Sequence, residues 1–186
     1  MGNVVHSAKT TKMIFVAQKA RIIKMASAKT LAKRLYHSTV RSTIAPLLVT
    51  SFGRSGSTML YGALTDAVAQ ARFGKVTKIT RALSRDEAWD ISGRRLYSGI
   101  VYKSHDYPQA LAATPQARAI FIFGSASEAA SSVLSCNDRY GPAWIREHFV
   151  HLKAKGTLSE IIDHDVLGFG AQLDSWTRFN AAPVLC

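Results

Sequence analysis

Acidic residues are absent from the first 65 positions of this 186-residue chain, while ten lysines and arginines, from Lys9 to Arg54, fall there. Over the whole sequence 24 Lys and Arg face 12 Asp and Glu, a net charge of +12 that directs expectation toward anionic partners. There are two cysteines, Cys136 and Cys186, too few for a disulfide framework or a cysteine metal array, and this suits a reducing compartment. No apolar run reaches the roughly 18 residues that a membrane-crossing helix needs, so no transmembrane segment is expected. The run Ile14 to Ala17 is also too short for the apolar core of a secretory signal. Gly2 follows Met1, yet His6 stands where a myristoylation pattern requires Ser or Thr. Internal repeats and long low-complexity tracts are missing too.

What is present is enough for one globular domain. A chain of this length can bury about 70% of its unfolded surface, and 47% hydrophobic residues supply the core. Residues 1–45 stand apart as a basic extension. Ile14, Ala17, Ile22, Ile23, Met25, Leu31 and Leu35 predict a moderately amphipathic helix over residues 13–36, interrupted by cations on several faces. Three roles stay open for it: an organellar transit segment, a basic arm for an anionic lipid or nucleic-acid surface, or a solvated helix.

The sharpest local signal begins at residue 46. Leu47 to Val49 read as a covered parallel strand, and the small residues from Gly53 to Ser57 allow a tight turn. Met59, Leu60, Ala63, Leu64, Ala67 and Val68 then recur at helical spacing, and Gly74 after Arg72 predicts the stop. A loop in that place meets the free amides and positive dipole end of the helix, to which Arg54 adds a cation and Ser57 and Thr58 add hydroxyls. An anion is the natural occupant. The nucleotide pattern G-x-x-x-x-G-K-[ST] is not met, because Ser51 replaces its first Gly and no Lys follows Gly56.

Arg54-Ser55-Gly56-Ser57-Thr58 instead resembles the 5′-phosphosulfate loop of the sulfotransferases that use 3′-phosphoadenosine 5′-phosphosulfate (PAPS). Lys103-Ser104-His105, followed by Pro108, resembles the segment in which that family carries its catalytic base, and Gly99 to Lys103 read as the strand before it. Ala119 to Ser132 resemble the strand and helix with the 3′-phosphate contacts: Ser132 matches the family's phosphate-binding Ser, whereas Gly124 replaces its Arg and Ala126 a common Pro. Ser125 and Glu128 also predict a capping box. Gln172 to Trp176 and Pro183 to Leu185 resemble the family's Trp-containing helix and its next strand.

The resemblance covers residues 46–186, about two thirds of a sulfotransferase domain, and leads us to expect that the segment closing over the adenine is lacking. It implies a P-loop-like, three-layer α/β/α fold with a central parallel sheet. It further implies PAPS as sulfuryl donor, no metal, and a small-molecule or glycan acceptor. The implied catalytic residues are His105, Lys103 and Arg54; the implied donor-binding residues are Arg54, Ser55, Gly56, Ser57, Thr58 and Ser132. Alternatives are a catalytically inactive sulfotransferase-like binding protein and a basic nucleic-acid-associated protein. The expected location is cytoplasmic, or a mitochondrion or plastid if the basic extension is a transit segment. A sheet without its closing segment exposes an edge, so a homodimer is expected.

Residues 80–99 read as a short polar helix and a loop whose arginines either meet acidic acceptors or are solvated. His148 and His151, one turn apart on a helix from Pro142 to Ala154, and Asp163-His164-Asp165 allow a metal site in residue type, although none is assigned. Ser104, His105 and Asp106 do not make a nucleophile relay, because neighbours on an extended segment point in alternating directions.

Overall fold

The computed structural model of the protein describes residues 31, 33, 35–37, 39, 40, 42–52, 56–87, 90–161, 163–180, 184 and 185. The chain divides into two units, Met1–Arg41 and Ser42–Cys186. In the first, the described residues between Leu31 and Thr39 are helical, and the Thr39 hydroxyl donates to the carbonyls of Leu35 and Tyr36. The rest of the expected basic helix lies outside the described residues, as do Arg54, Ser55, Pro183 and Cys186.

The second unit is built on five strands: β1 (Leu47–Ser51), β2 (Arg85–Glu87), β3 (Val101–Ser104), β4 (Arg118–Ile122) and β5 (Val184–Leu185). All pair in parallel, in the order β2-β3-β1-β4-β5. Among the described residues, five α-helices accompany them: α1 (Ser57–Phe73), α2 (Lys78–Leu83), α3 (Ala126–Tyr140), α4 (Pro142–Leu152) and α5 (Phe169–Thr177). Because β1 is central, both of its faces are covered, which is why it reads as a continuous apolar run.

Strand alternation sorts the core into two sides. Val49 and Val101 meet Tyr61 and Val68 of α1 on one face. Leu48, Tyr102, Ala119 and Phe121 meet Ala129 of α3 and Trp176 of α5 on the other. The fold is therefore a three-layer α/β/α sandwich with a strand, turn and helix in P-loop-like order at its centre. A further apolar cluster joins α3 to α4 through Val133, Ile145 and Leu152.

α1 ends where expected, with Gly74 at φ 68° and its N–H on the Gln70 carbonyl. Of the apolar residues that marked it, Val68 is buried and Leu60 and Leu64 pack partly buried against the same cluster. Tyr61, Thr65, Val68 and Ala69 are buried, whereas Met59, Ala63 and Ala67 are exposed. At roughly 100° per residue the helix carries two weakly apolar stripes, and the sheet takes the one with the large Tyr61 ring. Thr65 can follow it inward because its hydroxyl donates to the Tyr61 carbonyl at 2.7 Å.

Residues 80–99 also depart from the expected helix and loop. α2 is capped reciprocally by Thr77 and Thr80, and the next three residues, Arg85–Glu87, form the edge strand β2. An edge strand needs main-chain pairing on one side and no apolar pattern, and charge on it discourages further strand addition. Gly99 then turns the chain at φ 72°; a Cβ there would lie 2.7 Å from both Arg72 Nε and Ser42 Cβ, so no larger residue fits. Its carbonyl accepts from Arg72 at 2.7 Å, joining the end of α1 to the start of β3.

Phe121 lies between Trp176, stacked at 5.6 Å, and Phe52, edge-on at 6.1 Å. Phe121→Ala should lower stability by about 3–5 kcal/mol, measured as a lower denaturant midpoint. Burial pushes the Tyr102 phenol up to about 12, and its oxygen accepts the Tyr97 N–H at 2.8 Å. The folded chain therefore holds Tyr102 neutral where the unfolded chain ionises near 10. That contribution is complete below pH 10 and is lost as pH rises toward 12, so unfolding midpoints should fall across this window, and fall less in Tyr102→Phe.

Candidate functional site

Five parallel strands present their carboxyl ends at one edge. From β1 the chain leaves toward β2, and from β4 it leaves toward β5, so the order opens a crevice between β1 and β4. The register of β1 with β3, on the other side of β1, decides what stands beside that crevice. Thr50 pairs with Ser104, which brings the next residues, Ser51 and His105, level with each other beyond the ladder.

The His105 ring is almost wholly buried, and its Nδ1 lies 2.5 Å from the Ser51 carbonyl. A carbonyl only accepts, so Nδ1 carries the proton and, in the neutral ring, Nε2 holds the lone pair. The Ser51 hydroxyl, at a longer 3.5 Å from Nδ1, donates instead to Ser57 Oγ at 2.9 Å. Lys103 shares the His105 side of the strand, and its ammonium donates to Thr58 Oγ1 at 2.8 Å. Gly56, at φ 77°, is the N-cap of α1, and among the described residues no side chain caps that end. The first turn of α1 thus offers amides, two hydroxyls and the dipole's positive end beside a lysine and a histidine.

Of the expected site residues, Gly56, Ser57, Thr58, Lys103 and His105 stand together. Ser132 is half-buried in the second turn of α3. Arg54 and Ser55 lie outside the described residues. Gly124 is exposed at the end of β4, and a Cβ built there meets nothing within 4 Å. Of the expected Ser125/Glu128 box, one bond is present: Ser125 Oγ accepts the Glu128 N–H at 3.3 Å.

The sequence reading weighed Asp106 only as a member of a nucleophile relay, which it set aside, and gave it no other role. Its carboxylate is 1% exposed and accepts from the Ile91 N–H at 2.6 Å, Ser104 Oγ at 2.9 Å and Lys153 Nζ at 2.7 Å. The main chain beside it is claimed as well. Gln172 Nε2 donates to the His105 carbonyl at 2.8 Å, and Thr50 Oγ1 and Trp176 Nε1 donate to the Asp106 carbonyl at 3.3 and 3.2 Å. The hydrogen bond from Lys153 to Asp106 raises the ammonium above its ordinary value. The alternation of Ser104 and Asp106 to one side and His105 to the other was readable; their partners, 47 to 70 residues distant, were not.

A separate cleft of about 420 Å³ opens between the first turns of α3 and α5, lined by Ala126, Ser127, Asp163, His164 and Phe169 among others. It is of small-molecule size, and neither Lys103 nor His105 lines it. Phe169 links the two regions, since its ring packs 4.1 Å from Phe52, one residue beyond Ser51. Asp165 is occupied in capping α5, accepting from the Phe169 and Gly170 N–H groups at 2.6 and 2.9 Å. His148 stacks on Trp144 at 4.5 Å. Among the described residues, no group of three or more His, Cys, Asp or Glu is placed to hold a metal ion, and no helix is long and apolar enough to cross a membrane.

No protein-family model and no curated protein matches this chain.

Proposed function

We propose that the chain is a sulfotransferase that moves a sulfuryl group from PAPS to a hydroxyl or amine acceptor. One observation carries this reading. Lys103 and His105, which resemble the family's second motif, meet the first turn of α1, which follows its first motif, with Lys103 Nζ 2.8 Å from Thr58 Oγ1. The uncapped amides of α1 and the lysine fit a phosphosulfate, a doubly charged anion that needs donors on several sides.

PAPS supplies a sulfuryl group whose bridging S–O bond breaks as a new S–O bond to a hydroxyl acceptor, or S–N bond to an amine acceptor, forms. The residues of the chain would do the rest. His105 Nε2 takes the acceptor proton, with its ring oriented by the Nδ1–H bond to Ser51, a base worth roughly 10²- to 10⁴-fold. Lys103, released from Thr58, offsets charge on the departing oxygen, as do the α1 amides and Arg54. Ser55, Gly56, Ser57 and Thr58 hold the 5′ end of the donor, and Ser132 its 3′-phosphate. The acceptor, a small molecule or the end of a glycan, would meet His105 at the carboxyl edge of the sheet. The basic residues of positions 1–45 make an anionic surface a further partner, and the sheet edges make a homodimer a reasonable assembly.

Gly124 favours a second reading, a sulfotransferase-like binding protein without turnover, because it removes the cation that grips the 3′-phosphate in the family. Calorimetry with 3′-phosphoadenosine 5′-phosphate tests donor binding: micromolar affinity lost in Arg54→Ala is expected, and no binding to the unaltered chain would reject both readings. Turnover with PAPS that falls by roughly 10²-fold or more in His105→Ala while donor binding persists separates the enzyme from the binding protein. Space around Gly124 also permits a gain of function. Gly124→Arg should fold normally and tighten donor binding by about 10-fold or more, the worth of one charge-assisted hydrogen bond.

A further inference from the structure

We infer that Asp106, Lys153 and Gln172 are positioning residues that hold the His105 ring in its Nδ1–H form at the edge of the sheet, an inference that rests on the sulfotransferase reading for its catalytic meaning. Beyond Ser104 the β3 ladder ends, so no strand pairing orients the next residues. Side chains do so instead. Gln172 takes the His105 carbonyl, Thr50 and Trp176 take that of Asp106, and the Asp106 N–H donates to Ser104 Oγ at 3.1 Å.

Three locally unfavourable choices converge on this dipeptide. Asp106 places a carboxylate in the interior, which is tolerable only with donors on each side. Lys153 adopts φ 55° and ψ 35°, the left-handed region that few non-glycine residues occupy, and from there its half-exposed side chain reaches inward to Asp106. Gln172, 2% exposed, gives its amide N–H to His105 and leaves its own Oε1 buried without a partner among the described residues. An unpaired buried acceptor is itself unfavourable. Plain anchoring of a turn needs none of these, since a loop can be tied down by main-chain bonds alone. A histidine whose ring must face one way does need its own backbone held from outside the strand.

The test compares the full chain with Lys153→Met, Lys153→Arg and Gln172→Met, using nitrogen-15 NMR of the His105 ring, assigned by its loss in His105→Gln, together with thermal unfolding and calorimetry of 3′-phosphoadenosine 5′-phosphate. The unaltered protein should show a single Nδ1–H tautomer. Lys153→Met and Gln172→Met should each give a mixed tautomer with donor affinity unchanged, and Lys153→Arg should restore the single form. A His105 signal identical in Gln172→Met and the unaltered chain, with only the unfolding temperature lowered, would overturn the inference; Gln172→Met keeps the Asp106 pair intact, so it decides the matter even if Lys153→Met does not fold. Absence of donor binding in every protein would reject the sulfotransferase reading while the ring signals still decide the positioning role.

Discussion

A carboxylate withdrawn from water must be met by donors, and Asp106 is met from the loop after β2 through Ile91, from the end of β3 through Ser104 and from the end of α4 through Lys153. Its carbonyl binds β1 through Thr50 and α5 through Trp176. Segments far apart in the chain therefore share one arrangement in which both the carboxylate and the carbonyl of Asp106 are satisfied. Displacing α4 by a few ångströms would strand a buried charge, a cost of several kcal/mol. The packing of Trp176 on Phe121 works in the same direction, fixing α5 against the sheet while its indole N–H serves the loop.

The electrostatics of the carboxyl edge follow from how few acids the chain has and where they are used. Asp66 pairs with Arg81, Asp86 with Arg94 and Asp174 with Arg178, partly or largely exposed pairs that add little stability but neutralise their own cations. Asp106 is spent on Lys153. At the start of α1, by contrast, Lys103 bonds a neutral hydroxyl, so its charge adds to the helix dipole and is not cancelled by a carboxylate. An edge of this kind suits an anionic ligand whatever its chemistry, and the histidine held at Ser51 gives it a proton acceptor.

Local pattern carried much of this. The strand at Leu47, the helix ending at Gly74, the strand before His105 and the helix capped by Ser125 are all visible as apolar runs, turn glycines and capping hydroxyls acting over a few residues. β2 was illegible because Arg85-Asp86-Glu87 has no apolar signature and is a strand only by pairing with β3. The side of α1 that Tyr61 and Thr65 bury was not legible, because a small, mixed helix surface does not say which side a sheet will cover. Lys153 gave no sign at all, since a lysine at a helix end is ordinarily solvated.

By itself, then, the sequence determined the central strand, the turn and the helix that follows, the alternation of Lys103 and His105 against Ser104 and Asp106, and the excess of positive charge. Each of these is set by neighbours within one or two turns of chain. Only the tertiary structure decided that His105 faces the Ser51 carbonyl, that Lys103 reaches Thr58, and that Asp106 is buried under Lys153 with Gln172 and Trp176 alongside. Those contacts depend on strand order and register, and they form only when the burial of apolar surface has brought distant segments together.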